Sequence, residues 1–279
     1  MQNLLSIDFE SWFHFLGDPS APKREQWHTL DARLEKNTAI LLEALDGLSV
    51  TFFVLGWVGE YYPEIVKKIF LAGHEIACHG YYHELIFELG PQKFRDDIKK
   101  AKALLEDITG EAVLGYRAPG FSIRKSELWA LDIICEEGFT YDSSIFPALR
   151  TMGGIDGFTR FPQIMKLKAG ELIELPVSTT LLFDKPIVFC GGGFFRFCPY
   201  WFMKREITQL NQNNIPAVVY LHPQDFDPGQ PRMKLTKGHY FLYYYGLHKT
   251  LKKFKKLLSD FQWQGFAAYA KSNFSQNLK

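Results

Sequence analysis

An α/β barrel of parallel strands is the fold this sequence predicts, and three observations lead there. Short apolar runs alternate with amphipathic helical segments along most of the 279 residues, the pattern of parallel strands joined by helical crossovers. The strand-like runs number about seven, at residues 4–9, 50–55, 74–78, 113–116, 139–142, 172–178 and 217–221. Candidate reactive residues (Asp8, His79, Arg117, Asp142 and His222) stand at or just after the ends of five of those runs. A β/α barrel assembles its active site from many strand ends in that way. An open doubly wound sheet would collect such residues at one switch point, from fewer strands.

The elements follow in order. Residues 31–45 read as a helix with apolar positions at Leu34, Ala39, Leu41, Leu42 and Leu45. Residues 50–55 are rich in β-branched and aromatic side chains, as strands are. A helix over 63–71 should stop at Gly73, a glycine suited to the position after a helix end. The strand over 74–78 delivers His79, and His79 and His83, four apart, are expected on one face of a helical turn. A long helix over 91–108 begins with proline and is closed by Gly110. Residues 125–137 predict another helix. After Asp142 the rhythm breaks, and residues 143–170, with Pro147, Gly153, Gly154, Gly157 and Pro162, predict an irregular excursion. A helix over 200–212, a basic amphipathic helix over 246–261 and a closing strand over 265–270 complete the reading, with residues 224–279 forming a C-terminal extension of a single domain spanning 1–279.

Composition bounds the function. Hydrophobic content of 47% and charged content of 23% are those of a globular protein with a large core. A net charge of +1 without a block of like charge gives no footprint for nucleic acid. No run is apolar for the length of a membrane span, and residues 1–8 carry no signal-peptide pattern. Cys78, Cys135, Cys190 and Cys198 have neither C-x-x-C spacing nor a dense framework, so reduced thiols and a cytoplasmic location are expected. Aromatic content of 16% suits a protein that stacks on sugar rings, and a large core accounts for it equally well.

The chemistry is concentrated in four short motifs. Asp8-Phe9-Glu10 places two carboxylates at the end of the first strand, and His79-Gly80-Tyr81-Tyr82-His83 supplies two imidazoles. Glu10, His79 and His83 would give a divalent cation two neutral ligands and one anionic ligand, the open arrangement of catalytic sites. Zinc is the leading choice for imidazole and carboxylate donors.

Taken in sequence, these motifs resemble the polysaccharide deacetylases of carbohydrate esterase family 4, the NodB-homology domain. Asp8-Phe9-Glu10 occupies the place of the family's first motif, the His79–His83 stretch that of the second, Arg117-Ala118-Pro119-Gly120-Phe121 that of the third and Tyr220-Leu221-His222 that of the fifth. Gly191-Gly192-Gly193-Phe194-Phe195-Arg196, Tyr141-Asp142-Ser143-Ser144-Ile145-Phe146-Pro147, Glu174-Leu175-Pro176 and the segment from His222 to Pro228 resemble a branch found beside exopolysaccharide and lipopolysaccharide assembly genes. The resemblance implies a distorted, TIM-like (β/α) barrel. It also implies a metal-dependent hydrolase that removes an N-acetyl group from a sugar in surface polysaccharide biosynthesis, acting on a free, nucleotide-linked, lipid-linked or polymeric glycan. It places an oxyanion donor at the backbone N–H near Phe121. Resemblance to carbohydrate esterase family 4 also implies Asp8 as general base, His222 as general acid, and Arg117 as the partner that fixes the direction of Asp8.

Two features depart from the family pattern. Asp-x-Glu replaces adjacent aspartates, and Gly80 stands where serine or threonine is usual. The fourth motif is not recognisable, which leaves Asp142, Glu174 or Asp225 to orient His222. His14 is a further candidate for the cleft wall. Two other functions compete: a cyclic imide or ureide (allantoinase-like) hydrolase on the same barrel, and a catalytically silent glycan-binding module.

Overall fold

Alternate side chains of the apolar runs point into and out of a curled, mostly parallel sheet. The computed structural model describes residues 1–274; residues 275–279, the end of the expected extension, lie outside the described residues. In chain order come β1 (Gln2–Phe9), α1 (Leu34–Ala44), β2 (Thr51–Val54), α2 (Gly56–Tyr61), α3 (Pro63–Leu71), β3 (Glu75–Cys78) and α4 (Ile86–Thr109). Next are β4 (Gly115–Tyr116), α5 (Trp129–Glu136), β5 (Tyr141–Asp142), β6 (Gln163–Lys166), β7 (Glu171–Glu174), β8 (Thr179–Leu182) and β9 (Lys185–Val188). The chain finishes with α6 (Gly192–Phe197), α7 (Tyr200–Gln212), β10 (Val218–Leu221), α8 (Lys237–Tyr244), α9 (Leu247–Asp260), β11 (Gln262–Gln264) and α10 (Phe266–Phe274).

The sheet path runs β10-β1-β2-β3-β4-β5-β7-β6. From β10 to β7 every pairing is parallel, seven strands in all, and β6 is antiparallel on β7. The curl brings the two ends of the parallel set together. The Ser178 N–H donates to the Val218 carbonyl at 3.3 Å, and the Ser178 hydroxyl accepts the Val218 N–H at 2.8 Å. A parallel bridge between Gly191 and Tyr220 adds to that seam. Fold and strand count are those expected, a distorted barrel.

Strand periodicity sorts the residues. Leu4, Phe53, Ala77, Tyr141, Ile173 and Val218 pack together inside the barrel, with Phe266 of α10 among them. Leu5, Ile7, Phe9, Phe52, Val54, Ile76 and Cys78 face the helices in the main apolar core. Inward positions nearest the strands' C-terminal ends are therefore polar by exception, and they make the site.

Several expectations need correction. The closing strand is Gln262–Gln264, parallel on β1, and residues 265–270 instead open α10. Phe266, Tyr269 and Ala270 are buried at helical spacing, and distant side chains receive the helix's first N–H groups. The Thr51 hydroxyl accepts from Phe266 at 2.8 Å and the Glu75 carboxylate accepts from Ala267 at 3.0 Å. Those contacts supply the caps that the local sequence lacks. The excursion over 143–170 is not wholly irregular, because β6 lies within it and pairs with β7. The long helix begins at Pro91 as expected, and the non-helical Gly90 (φ 71°, ψ 169°) divides it from a short helical turn over 86–89 within α4. The α2 helix and the β8–β9 hairpin were not anticipated. Among the described residues no helix is long and apolar enough to cross a membrane.

Candidate metal centre and acid–base pair

Three buried ligands converge where β1 and β3 end. One ligand atom each from Glu10, His79 and His83 lies within 4.8 Å of the others. The helical turn expected for the two histidines is absent; His79 and His83 sit in the loop between β3 and α4. Gly80 (φ 74°) and His83 (φ 57°) both adopt left-handed backbone and fold the loop back over the strand ends. A side chain at Gly80 would be strained at that φ, and its Cβ would lie 3.1 Å from Asp97 Oδ2. This backbone explains the glycine in place of the usual serine or threonine.

Both imidazoles are fixed from behind. His79 Nδ1 meets the Arg117 carbonyl at 2.8 Å, and His83 Nδ1 meets the His14 carbonyl at 2.7 Å. A carbonyl only accepts, so each Nδ1 carries the hydrogen and each Nε2 offers a lone pair toward Glu10. His83 Nε2 stands 2.8 Å from Glu10 Oε2, and that buried oxygen has no hydrogen-bond partner. Two lone pairs aimed at each other call for a positive charge between them, so the donor set fits a divalent cation. Burial and neighbouring charge set the protonation of each group. Burial alone would raise the Glu10 carboxyl, but His83, with help from His222 and His79, holds it at about 2. Burial pushes His79 down to about 4 and leaves it neutral. Burial also opposes protonation of His83, but Glu10 outweighs it and raises the pKa.

Asp-x-Glu has a geometric reason. Positions two apart on a strand share a face, so Asp8 and Glu10 both point to the barrel mouth, and the longer side chain reaches the imidazoles. Gln224 Nε2 donates to Glu10 Oε1 at 2.9 Å and steadies it. Asp8 is buried against Arg117, whose Nη1 donates to Asp8 Oδ1 at 2.5 Å and to Ser6 Oγ at 2.7 Å. The other end of the guanidinium binds Ser143 through Oγ at 2.9 Å and the carbonyl at 3.3 Å, over the Phe53 ring at 4.0 Å. Every direction in which Arg117 could swing is taken.

His222 follows β10 across the mouth, with Nε2 4.0 Å from Glu10 Oε1. Burial lowers its pKa, opposed by the Glu10 and Asp8 carboxylates. Among the three carboxylates open to the role, Asp225 is the one beside it: Oδ2 accepts from the His222 backbone N–H at 2.9 Å and lies 3.1 Å from Nδ1. Arg196 forms an ion pair with the other Asp225 oxygen. Its remaining N–H groups donate to the carbonyls of Tyr245 (2.9 Å), Leu242 (2.7 Å) and Tyr243 (3.1 Å) at the end of α8. Sequence reasoning missed Arg196 and Gln224. The triple glycine before Arg196 was the available signal: a Cβ at Gly191 would stand 2.0 Å from the Tyr220 ring, and one at Gly192 3.2 Å from His222 Cε1.

Asp142 and Glu174 sit elsewhere. Their strand positions alternate with the inward Tyr141 and Ile173, so both face away from the barrel interior. Asp142 Oδ1 accepts from Ser144 Oγ at 2.5 Å, and that hydroxyl accepts the Ala118 N–H at 2.8 Å, so Asp142 braces the loop after Arg117. Glu174 receives the Ile145 N–H at 3.1 Å. Burial raises both carboxyls, and the Asp142 charge raises Glu174 further. His14 is also relocated. Its ring is buried among Phe13, Trp27 and Trp57, with Nδ1 accepting the Ser11 N–H at 2.9 Å. Its backbone serves the centre and its ring does not line an open cleft. The Phe121 N–H already donates to Ala118 at 3.0 Å, in a tight turn, so it is not free for an oxyanion.

Fold and site together define a barrel whose mouth gathers three residues that could hold a cation, with a carboxylate on one side and an imidazole on the other. Residues 18–132 match the family described as polysaccharide deacetylase, and residues 143–271 match one described as a domain of unknown function, DUF3473. A peptidoglycan deacetylase-like protein of Gibberella zeae is 38% identical over 109 residues, which are 38% of this chain and 31% of that protein. The chain thus spans about a third of the length of the curated relatives it matches first. A crystal structure described as a polysaccharide deacetylase from Mycobacterium smegmatis superposes with a TM-score of 0.63 at 20% identity, over 100% of this chain and 92% of that one. An allantoinase superposes at 0.61 with 15% identity, over 99% and 92%; these two share the fold. Over residues 18–132 the chain is thus similar to the polysaccharide deacetylases, and its fold is that of the two solved structures.

Proposed function

We propose that the protein is a metal-dependent N-deacetylase that hydrolyses the acetamide of an N-acetylated sugar in surface polysaccharide synthesis, with zinc the leading cation. One observation carries the reading. A buried, partnerless Glu10 oxygen faces two imidazoles whose Nε2 atoms are left bare by their Nδ1 bonds, with Asp8 and His222 beside them. The family kinship with named peptidoglycan deacetylases supports it.

Glu10, His79 and His83 would hold the cation, which supplies Lewis-acid polarisation of the acetamide oxygen and a more acidic water. Asp8, locked in direction by Arg117, accepts a proton from the attacking water as its oxygen bonds to the carbonyl carbon. His222 then gives its Nε2 proton to the departing nitrogen as the C–N bond breaks, which yields acetate and a free amine. Asp225 stabilises the cationic imidazole through Nδ1, and Arg196 keeps Asp225 in place.

Acetate release across a panel of N-acetylated glycans, with the metal-loaded and the chelated protein, tests the proposal. Release that disappears on chelation and returns with zinc is the expected result. Opening of a cyclic ureide with no acetate from any sugar would overturn the proposal and favour the imide-hydrolase function. Tight glycan binding without turnover by the loaded protein would favour a binding module.

A further inference from the structure

Arg150 is a cation without a counter-charge beside the site. Arg33, Arg95, Arg117 and Arg196 each pair with a carboxylate. Among the described residues, none lies within ion-pair distance of Arg150, and its Nη1 is buried without a hydrogen-bond partner. The residue is half-buried, in the loop between β5 and β6. Its guanidinium carbon lies 4.4 Å from the Phe146 ring centre and 5.9 Å from that of Phe121. Those rings belong to an apolar wall with Ala148, Val177, Val188 and Tyr220.

The wall reaches His222 and Arg117, the partner of Asp8. The Tyr220 ring is 5.6 Å from that of His222, and the Phe121 ring is 4.8 Å from that of Tyr220 and 5.4 Å from the Arg117 guanidinium. The Arg150 charge reaches the Tyr220 hydroxyl and lowers its pKa, although burial raises it overall. Two packed rings, Phe121 and Tyr220, therefore connect Arg150 to His222, and Phe121 alone connects it to Arg117. A planar guanidinium fork matches the oxygens of a carboxylate or a phosphate, and an unsatisfied buried N–H at such a place calls for a ligand.

We propose that Arg150 receives an anionic group, a carboxylate or a phosphate, carried by the substrate next to the N-acetylated sugar. The inference rests on the deacetylase reading above and narrows its substrate class to acidic or phosphate-linked N-acetyl sugars. Calorimetric titration of the metal-loaded protein with N-acetylglucosamine, N-acetylglucosamine 1-phosphate and N-acetylglucosaminuronic acid tests it. The wild type should bind at least one anionic sugar about tenfold more tightly than the neutral one, and whichever is preferred identifies the source of the anion. Arg150→Gln should abolish the preference and Arg150→Lys keep part of it. Equal affinity for all three sugars in the wild type overturns the inference without any variant, as does a preference that survives in folded Arg150→Gln. Acetate release from the same sugars reports separately on the activity. A preference without release would leave the anion site standing and sink the deacetylase assignment.

Discussion

Asp8, Glu10, His79 and Arg117 stand at or just after the ends of β1, β3 and β4, close neighbours in one sheet, and their supports are backbone carbonyls, the Ser6 and Ser143 side chains and, for Glu10, Gln224. His222 is held differently. Its support passes through Asp225 to Arg196, and from there to three carbonyls at the end of α8. The half around Asp8, Glu10 and His79 stands directly at the ends of regular strands. The half around His222 depends on a relay between loops and a helix whose Phe241, Leu242 and Tyr240 are exposed. One site can thus combine a fixed half with a half that is only as ordered as a distant contact.

The largest expected effects lie in the fixed half. His79→Ala should lose the cation and turnover together. Asp8→Asn should keep the cation and lower turnover by about 10²–10⁴-fold, the range for removing a general base. Metal analysis alongside acetate release separates them, and normal turnover in Asp8→Asn would show the base to be elsewhere. In the relay half, Arg196→Met should reduce kcat by about 10–100-fold with bound metal unchanged, as loss of an outer support does, and Arg196→Lys should fall between. If Arg196→Met released the metal, the two halves would not be separable as described.

Smaller effects sharpen the contrast. Gly80→Ala should destabilise the protein by about 1–2 kcal/mol, the penalty of left-handed backbone for a residue with a Cβ, as read by chemical denaturation. His74 lies at the opposite ends of the strands, against Phe52, and burial depresses its pKa to about 4 from 6.5. The unfolded chain takes up that proton first as pH falls. The stabilisation is therefore complete above pH 6.5 and declines as pH drops from 6.5 toward 4. Melting temperature should fall by about 2–4 °C over that window for each kcal/mol lost, and His74→Gln should flatten the slope. An unchanged slope in His74→Gln would assign the acid sensitivity to other groups.

The α3 and α7 helices could be read to the residue because proline openings and apolar spacing are local signals. The order of the parallel strands followed from their alternation with helices. The ligands were legible as residue types, but their backbone was not. His79 and His83 have helical spacing, yet Gly80 and His83 take left-handed conformations that serve the loop. Residues 265–270 look like a strand in isolation, yet they form a helix because Thr51 and Glu75, far away in sequence, supply its caps. Glu174 and Asp142 are carboxyl groups like Asp225; only the face of the strand on which they fall removes them from the side of His222.

By itself the sequence determined the kind of barrel, the strand ends that bear reactive groups and the resemblance carried by its short motifs, because periodicity and short-range spacing are properties of neighbouring residues. The tertiary structure alone decided which carboxylate stands beside His222, that Arg196 anchors it, and that Arg150 is left without a counter-charge. Those outcomes depend on which distant side chains share a few ångströms of low-dielectric space, where a charge is either met or conspicuously unmet.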